Sequence, residues 1–84
     1  MTIVAEATQY MYKIKELTAV LLKEQGIHEG LWQLLINFGF GAANIGPTES
    51  EMAPTAMVPV LAIGIQRVPE KNPMTVDAAE VNPK

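Results

Sequence analysis

The stretch from Gly30 to Asn44 constrains this chain more than any other. Trp32, Leu34, Ile36, Phe38 and Phe40 fall on alternate positions there. Side chains in a strand point alternately to its two faces, so these five form one apolar stripe. The stripe holds the only Trp and both Phe residues of the chain, which makes it the expected wall of the core. Fully burying one large apolar side chain contributes roughly 1.5 to 3 kcal/mol. On this reading Trp32→Ala or Phe38→Ala is expected to cost about 3 to 5 kcal/mol.

A second strand is expected from Thr55 to Val68. Its odd positions carry Met57, Leu61, Ile63 and Ile65, and its even positions carry Val58, Val60 and Ala62. Two apolar faces imply that both are covered. Pro59 has no N–H to give a ladder, which assigns it to a sheet edge or a bulge. One helix cannot cover both faces of a small antiparallel sheet. The far side is therefore expected to meet the N-terminal arm, the C-terminal tail or another subunit.

The best helix is Glu16 to Gln25. Leu17, Val20 and Leu21 share a face, with Glu16 in the first turn and Lys23 in the last, as the helix dipole favours. Gly26 suits the left-handed residue that ends a helix, and Ile27 can fold back on the last turn. Upstream, Tyr10, Tyr12 and Ile14 alternate against Met11, Lys13 and Lys15. That pattern reads as a strand from Tyr10 to Lys15, in competition with one long helix from Ala5 to Gln25. The strand is preferred because Tyr and Ile favour strands and no capping residue opens the longer helix.

Residues 1–9 read as an N-terminal arm or a first strand. Residues 42–55 carry Gly46, Pro47 and Pro54 and read as a surface loop, within which Thr48-x-x-Glu51 matches a capping box with room for one turn. Residues 69–84 contain three prolines and little periodicity, and are expected to form an extended C-terminal tail, in which Met74–Val81 can pack as an extended segment with one helical turn at most at Asp77–Glu80. The whole chain, 1–84, is expected to be a single domain.

Composition bounds the functional classes. A chain of 84 residues buries only about 60 to 65% of the surface it exposes when unfolded, so small domains often need a supplement. With no Cys and one His, neither disulfides nor a structural metal site can be built within one chain, and oligomerisation is the expected supplement. Net charge is −3, and Lys13, Lys15, Lys23, Arg67, Lys71 and Lys84 never cluster beyond a pair. A nucleic-acid partner requires a positive footprint that this pattern does not supply. The apolar run Ala19 to Leu22 is too short for a signal-peptide core or a membrane span, so a cytoplasmic location without membrane contact is expected.

Candidate chemistry is sparse. His28 and Glu29 are the first residues to weigh, since histidine is the usual general acid or base near neutral pH. Neighbours in an extended segment point apart, however, and a polar turn is the simpler reading. Gly39-Phe-Gly41-Ala-Ala-Asn44 follows a strand but leads into a polar segment rather than a helix, which excludes a dinucleotide-binding turn. Asn37 and Gln33 lie on the face opposite the aromatic stripe, where Asn37, Asn44 and His28 are the candidate polar contacts of a ligand pocket. Glu49, Glu51, Asp77 and Glu80 lack the alternate spacing of a calcium loop. Met52 and Met57 read as gap-fillers in a core or interface. No cofactor or metal is expected.

Gln25-Gly-Ile-His-Glu-Gly-Leu-Trp32, Ala62-Ile-Gly-Ile-Gln-Arg67 and Val76-Asp-Ala-Ala-Glu-Val-Asn-Pro83 together resemble a group of short uncharacterised bacterial proteins, over roughly residues 10–84. The resemblance implies a stand-alone domain and no activity, cofactor or catalytic residue.

The expected fold is α+β: a small antiparallel sheet of Tyr10–Lys15, Leu31–Gly41 and Thr55–Val68, with Glu16–Gln25 packed on one face, in the order β-α-β-β, and oligomeric. The leading functional expectation is a non-enzymatic homo-oligomeric assembly or interaction module. The alternative is a small-ligand-binding protein with a pocket between sheet and loop or between subunits. An enzyme with a composite site at a subunit interface would rest on His28 and Glu29 alone.

Overall fold

The computed structural model describes residues 8–84. Its elements are α1 (Ile14–Glu24), β1 (Leu31–Phe38), β2 (Gly41–Ile45), a 3-10 turn (Glu49–Glu51), β3 (Ala53–Met57), β4 (Val60–Val68), β5 (Val76–Asp77) and α2 (Ala78–Val81). The fold is α+β. β1 is the middle strand of a three-stranded antiparallel sheet, between β4 and β5, while β2 and β3 pair as a separate two-stranded antiparallel sheet.

The two sheets follow one another along a single long ribbon. Gly39 N donates to Pro59 O at 2.9 Å and carries the pairing across the gap between them. Pro59 thus sits at an irregularity: Asn37 faces Ala62 and Phe38 faces Val60, so Leu61 has no partner. A proline that cannot donate is accommodated where the ladder already skips. From Leu31 to Ile45 the ribbon runs roughly 50 Å at about 3.3 Å per residue. The radius of gyration is 19.5 Å, against about 12 Å for a compact chain of this length.

The core lies at one end. Leu22, Val76 and Ala78 are buried, and Ile27, Trp32, Ile65 and Val81 pack around them. α1 therefore lies over the proximal part of the sheet, and its buried positions are Thr18 and Leu22, flanked by half-buried Leu17 and Leu21. This face is rotated from the expected one, and Val20 is exposed. Buried Thr18 is satisfied by its own helix, its Oγ1 donating to Ile14 O at 2.8 Å.

Both helix ends have physical causes. Glu16 Oε2 accepts from the backbone N–H of Lys13 at 3.3 Å, which supplies the carboxylate half of a capping box. At the other end Gly26 has φ +66°, Gly26 N donates to Lys23 O and Ile27 N donates to Leu22 O. These two bonds make the expected Schellman stop, and Ile27 closes on the core.

Four expectations are corrected. Tyr10–Lys15 is not a strand: 8–13 has no regular structure and the helix begins at Ile14, so the element order opens on a helix and the long Ala5–Gln25 helix is also absent over 8–13. Among the described residues the Tyr-Met-Tyr run has no neighbouring strand to pair with. Residues 42–55 are not an irregular loop but largely the distal hairpin β2–β3, because Ala42 to Ile45 meet Ala53 to Ala56 in register. Residues 69–84 are not an extended tail throughout: Thr75, Val76 and Ala78 are buried, Val76 lies in β5, and Ala78 lies in α2, a single turn close to the one allowed at Asp77–Glu80. The fourth concerns the aromatic stripe: Phe38 and Phe40 are 55% and 80% exposed, so only its Trp32 end is core. Of the expected N-terminal arm or first strand at residues 1–9, residues 1–7 lie outside the described residues.

Candidate functional site

Two features at opposite ends of β1 stand out. The first is a groove of about 520 Å³ beside the end of α1, lined by Gly26, Ile27, His28, Trp32, Arg67 and Lys84, with Glu29 and Ala79 completing it. His28 Nδ1 lies 2.7 Å from the backbone oxygen of Asn82. A carbonyl only accepts, so Nδ1 carries the proton and Nε2 is the ring nitrogen left for other partners. The Asn82 side chain donates in turn to Ile27 O at 2.8 Å and to Leu22 O at 3.4 Å. One asparagine thereby supplies a donor to Ile27 O and a second donor to Leu22 O, and ties residue 82 to the turn that ends α1.

Across the groove Trp32 and Arg67 are direct partners on β1 and β4. Trp32 Nε1 donates to Glu29 O at 3.0 Å. Gly30 has φ +98°, and a β-carbon there would lie 2.8 Å from Arg67 Nε and 3.0 Å from Trp32 Nε1. Both side chains therefore close directly over a residue that must be glycine. Among the described residues no hydrogen bond joins Glu29 to His28, and the pair has no catalytic geometry.

The second feature is the ribbon surface. Residues opposite one another in an antiparallel pair share a face, which groups Trp32 with Arg67, Leu34 with Ile65, Ile36 with Ile63 and Phe38 with Val60. The same face is covered at Trp32 and Ile65 and uncovered at Ile36, Ile63, Phe38 and Val60. Phe40, Met57 and Val58 extend the exposed apolar surface toward the hairpin. An apolar surface this continuous is uncommon on a lone soluble domain.

The three candidate contacts are not brought together. His28 is half-buried in the groove, Asn37 is exposed opposite Ala62, and Asn44 is exposed on β2 opposite Pro54. At about 3.3 Å per residue, Asn37 and Asn44 lie roughly 20 Å apart along the ribbon. Sequence reasoning missed Asn82 and Arg67. Nothing local distinguishes Asn82 as a helix-end partner, whereas Arg67 is the one charged residue in an otherwise uncharged strand, a signal that was available.

Among the described residues no group of His, Cys, Asp or Glu is arranged to hold a metal ion, and no helix is long and apolar enough to cross a membrane. No family model matches the chain, and comparison with curated proteins and with solved structures returns no match.

Proposed function

We propose that the protein is a homo-oligomeric assembly module whose ribbon is covered by further copies of the same chain. The observation that carries this reading is the abrupt end of cover along one stripe: Leu34 and Ile65 lie toward the helix, while Ile36, Ile63, Phe38 and Val60 continue the same face into solvent. The buried apolar residues Leu22, Val76 and Ala78 make a small core for a domain, and assembly supplies what the single chain lacks. The protein then acts through its surface and its architecture rather than through bond-making chemistry. Placing a charge on the stripe tests this. Ile63→Asp or Phe38→Asp is expected to reduce the assembly to the 9.1 kDa chain, while Asn37→Asp, on the opposite face, leaves it assembled. Retention of the wild-type mass in both stripe variants contradicts the reading.

A second reading, small-ligand binding, is favoured by one observation: His28, Arg67 and Lys84 line one groove against the single acid Glu29. A carboxylate is the matching ligand chemistry, because a guanidinium binds it through two parallel hydrogen bonds. Chemical-shift changes at His28 and Trp32 on titration with acetate, lost in Arg67→Gln, are the expected result. Unchanged shifts in the wild type would remove this reading.

A further inference from the structure

We propose that residues 8–12 of one copy add as a strand to the open edge of β1, between Leu34 and Phe38, of a neighbouring copy. The proposal rests on the homo-oligomeric reading above and names the segment that makes the contact. Tyr10 and Tyr12 are 77% and 59% exposed, and Met11 between them is exposed as well. Lys13 ends the segment as the N-cap of α1, its N–H held by Glu16 Oε2 and its carbonyl accepting from Leu17 N, so the stretch open to pairing stops at Tyr12. Among the described residues no backbone hydrogen bond engages Thr8 to Met11. A segment with the alternation of a strand and no partner among the described residues is suited to be a donor.

The acceptor is the edge of β1 beside β5. β5 pairs with only Leu31 and Trp32, so among the described residues no strand lies beside the outward backbone groups of β1 beyond them. Sheet edges that must not pair are usually blunted by Lys, Pro or inward-facing charge. The free edge of β4 begins just after Pro59 and carries Arg67, whereas Leu34 to Phe38 contains neither proline nor charge. Side-chain chemistry fixes which way up the donor lies. With Tyr10 and Tyr12 on the stripe of Ile36 and Phe38, Met11 falls on the face of Leu35 and Asn37. At about 150 to 250 Å² for an aromatic side chain, one arm and the stripe beneath it bury roughly 800 Å². Each chain gives one arm and receives one, which brings a pair of copies to the order of 1,600 Å² typical of a stable interface.

Proline scanning separates backbone pairing from simple apolar contact. Successive N–H groups of a strand point to opposite edges, so either Met11→Pro or Tyr12→Pro must delete a donor facing β1. One of the two is expected to weaken assembly about tenfold, with Met11→Ala close to wild type and the circular dichroism of the chain unchanged. Because the chain has no Cys, Tyr12→Cys mixed with Leu34→Cys, Ile36→Cys or Phe38→Cys reports proximity directly. A disulfide-linked pair is expected with at least one of these and none with Asn44→Cys. A monomeric wild type would overturn the assembly reading itself. An assembled wild type with two unaffected proline variants and no cross-link would overturn strand addition alone.

Discussion

Ile63 and Ile65 stand two residues apart on the same face of β4, yet Ile65 packs against the cluster around Leu22 while Ile63 is 51% exposed. The difference is not in the residues but in what lies above them. α1 covers one end of the stripe, the Schellman stop at Gly26 turns the chain away, and the other end has no cover among the described residues.

Truncations on either side of that boundary should therefore behave differently. Leu22→Ala empties a fully buried site and is expected to cost about 2 to 5 kcal/mol in denaturant unfolding at every protein concentration. Ile63→Ala is expected to lower the melting temperature in a way that depends on concentration, since stability gained by association follows mass action. Equal, concentration-independent losses would show that both residues are internal core.

Asn82 ties the end of the chain to the end of α1. Asn82→Ala leaves the carbonyls of Ile27 and Leu22 without their side-chain donor, at an expected cost of about 1 to 3 kcal/mol. The His28 Nδ1 bond goes to the backbone of Asn82 and so should weaken only through loosening of the segment. An unfolding midpoint unchanged from wild type would remove Asn82 from the account of the core.

Two glycines are expected to respond in a defined order. Gly26→Ala meets open space and pays only for its left-handed backbone, about 1 kcal/mol. Gly30→Ala pays that cost and also displaces Arg67 and Trp32. It should therefore be the more destabilising and should alter tryptophan fluorescence, whereas Gly26→Ala should not. The reverse order would contradict the packing described around Gly30.

The local rules of the sequence were legible where local chemistry decides. The helix stop at Gly26 and Ile27, the pairing strands around Leu34 and Ile65 and the irregularity at Pro59 follow from backbone conformation, period two and a missing N–H. What was not legible depends on residues far away in sequence or on which surfaces receive cover. The alternation of Tyr10 and Tyr12 is a strand pattern without a strand beside it among the described residues. Phe38 and Phe40 have core character without cover, so hydrophobicity alone placed them in the wrong environment. Val76 and Asp77 lie between Pro73 and Pro83, which hide their pairing with β1, and an Asn72 turn leads into them, in which Asn72 Oδ1 accepts from Met74 N at 2.7 Å. Of the candidate site, His28 was identifiable by its rarity; its partner Asn82, 54 residues away, was not.

The central claim is that the uncovered half of the stripe is an interface between copies. Light scattering on the purified chain across micromolar concentrations measures this most directly. The account predicts a mass at a whole multiple of 9.1 kDa, falling toward 9.1 kDa in Phe38→Asp. A wild-type chain that stays folded at 9.1 kDa throughout that range would contradict it.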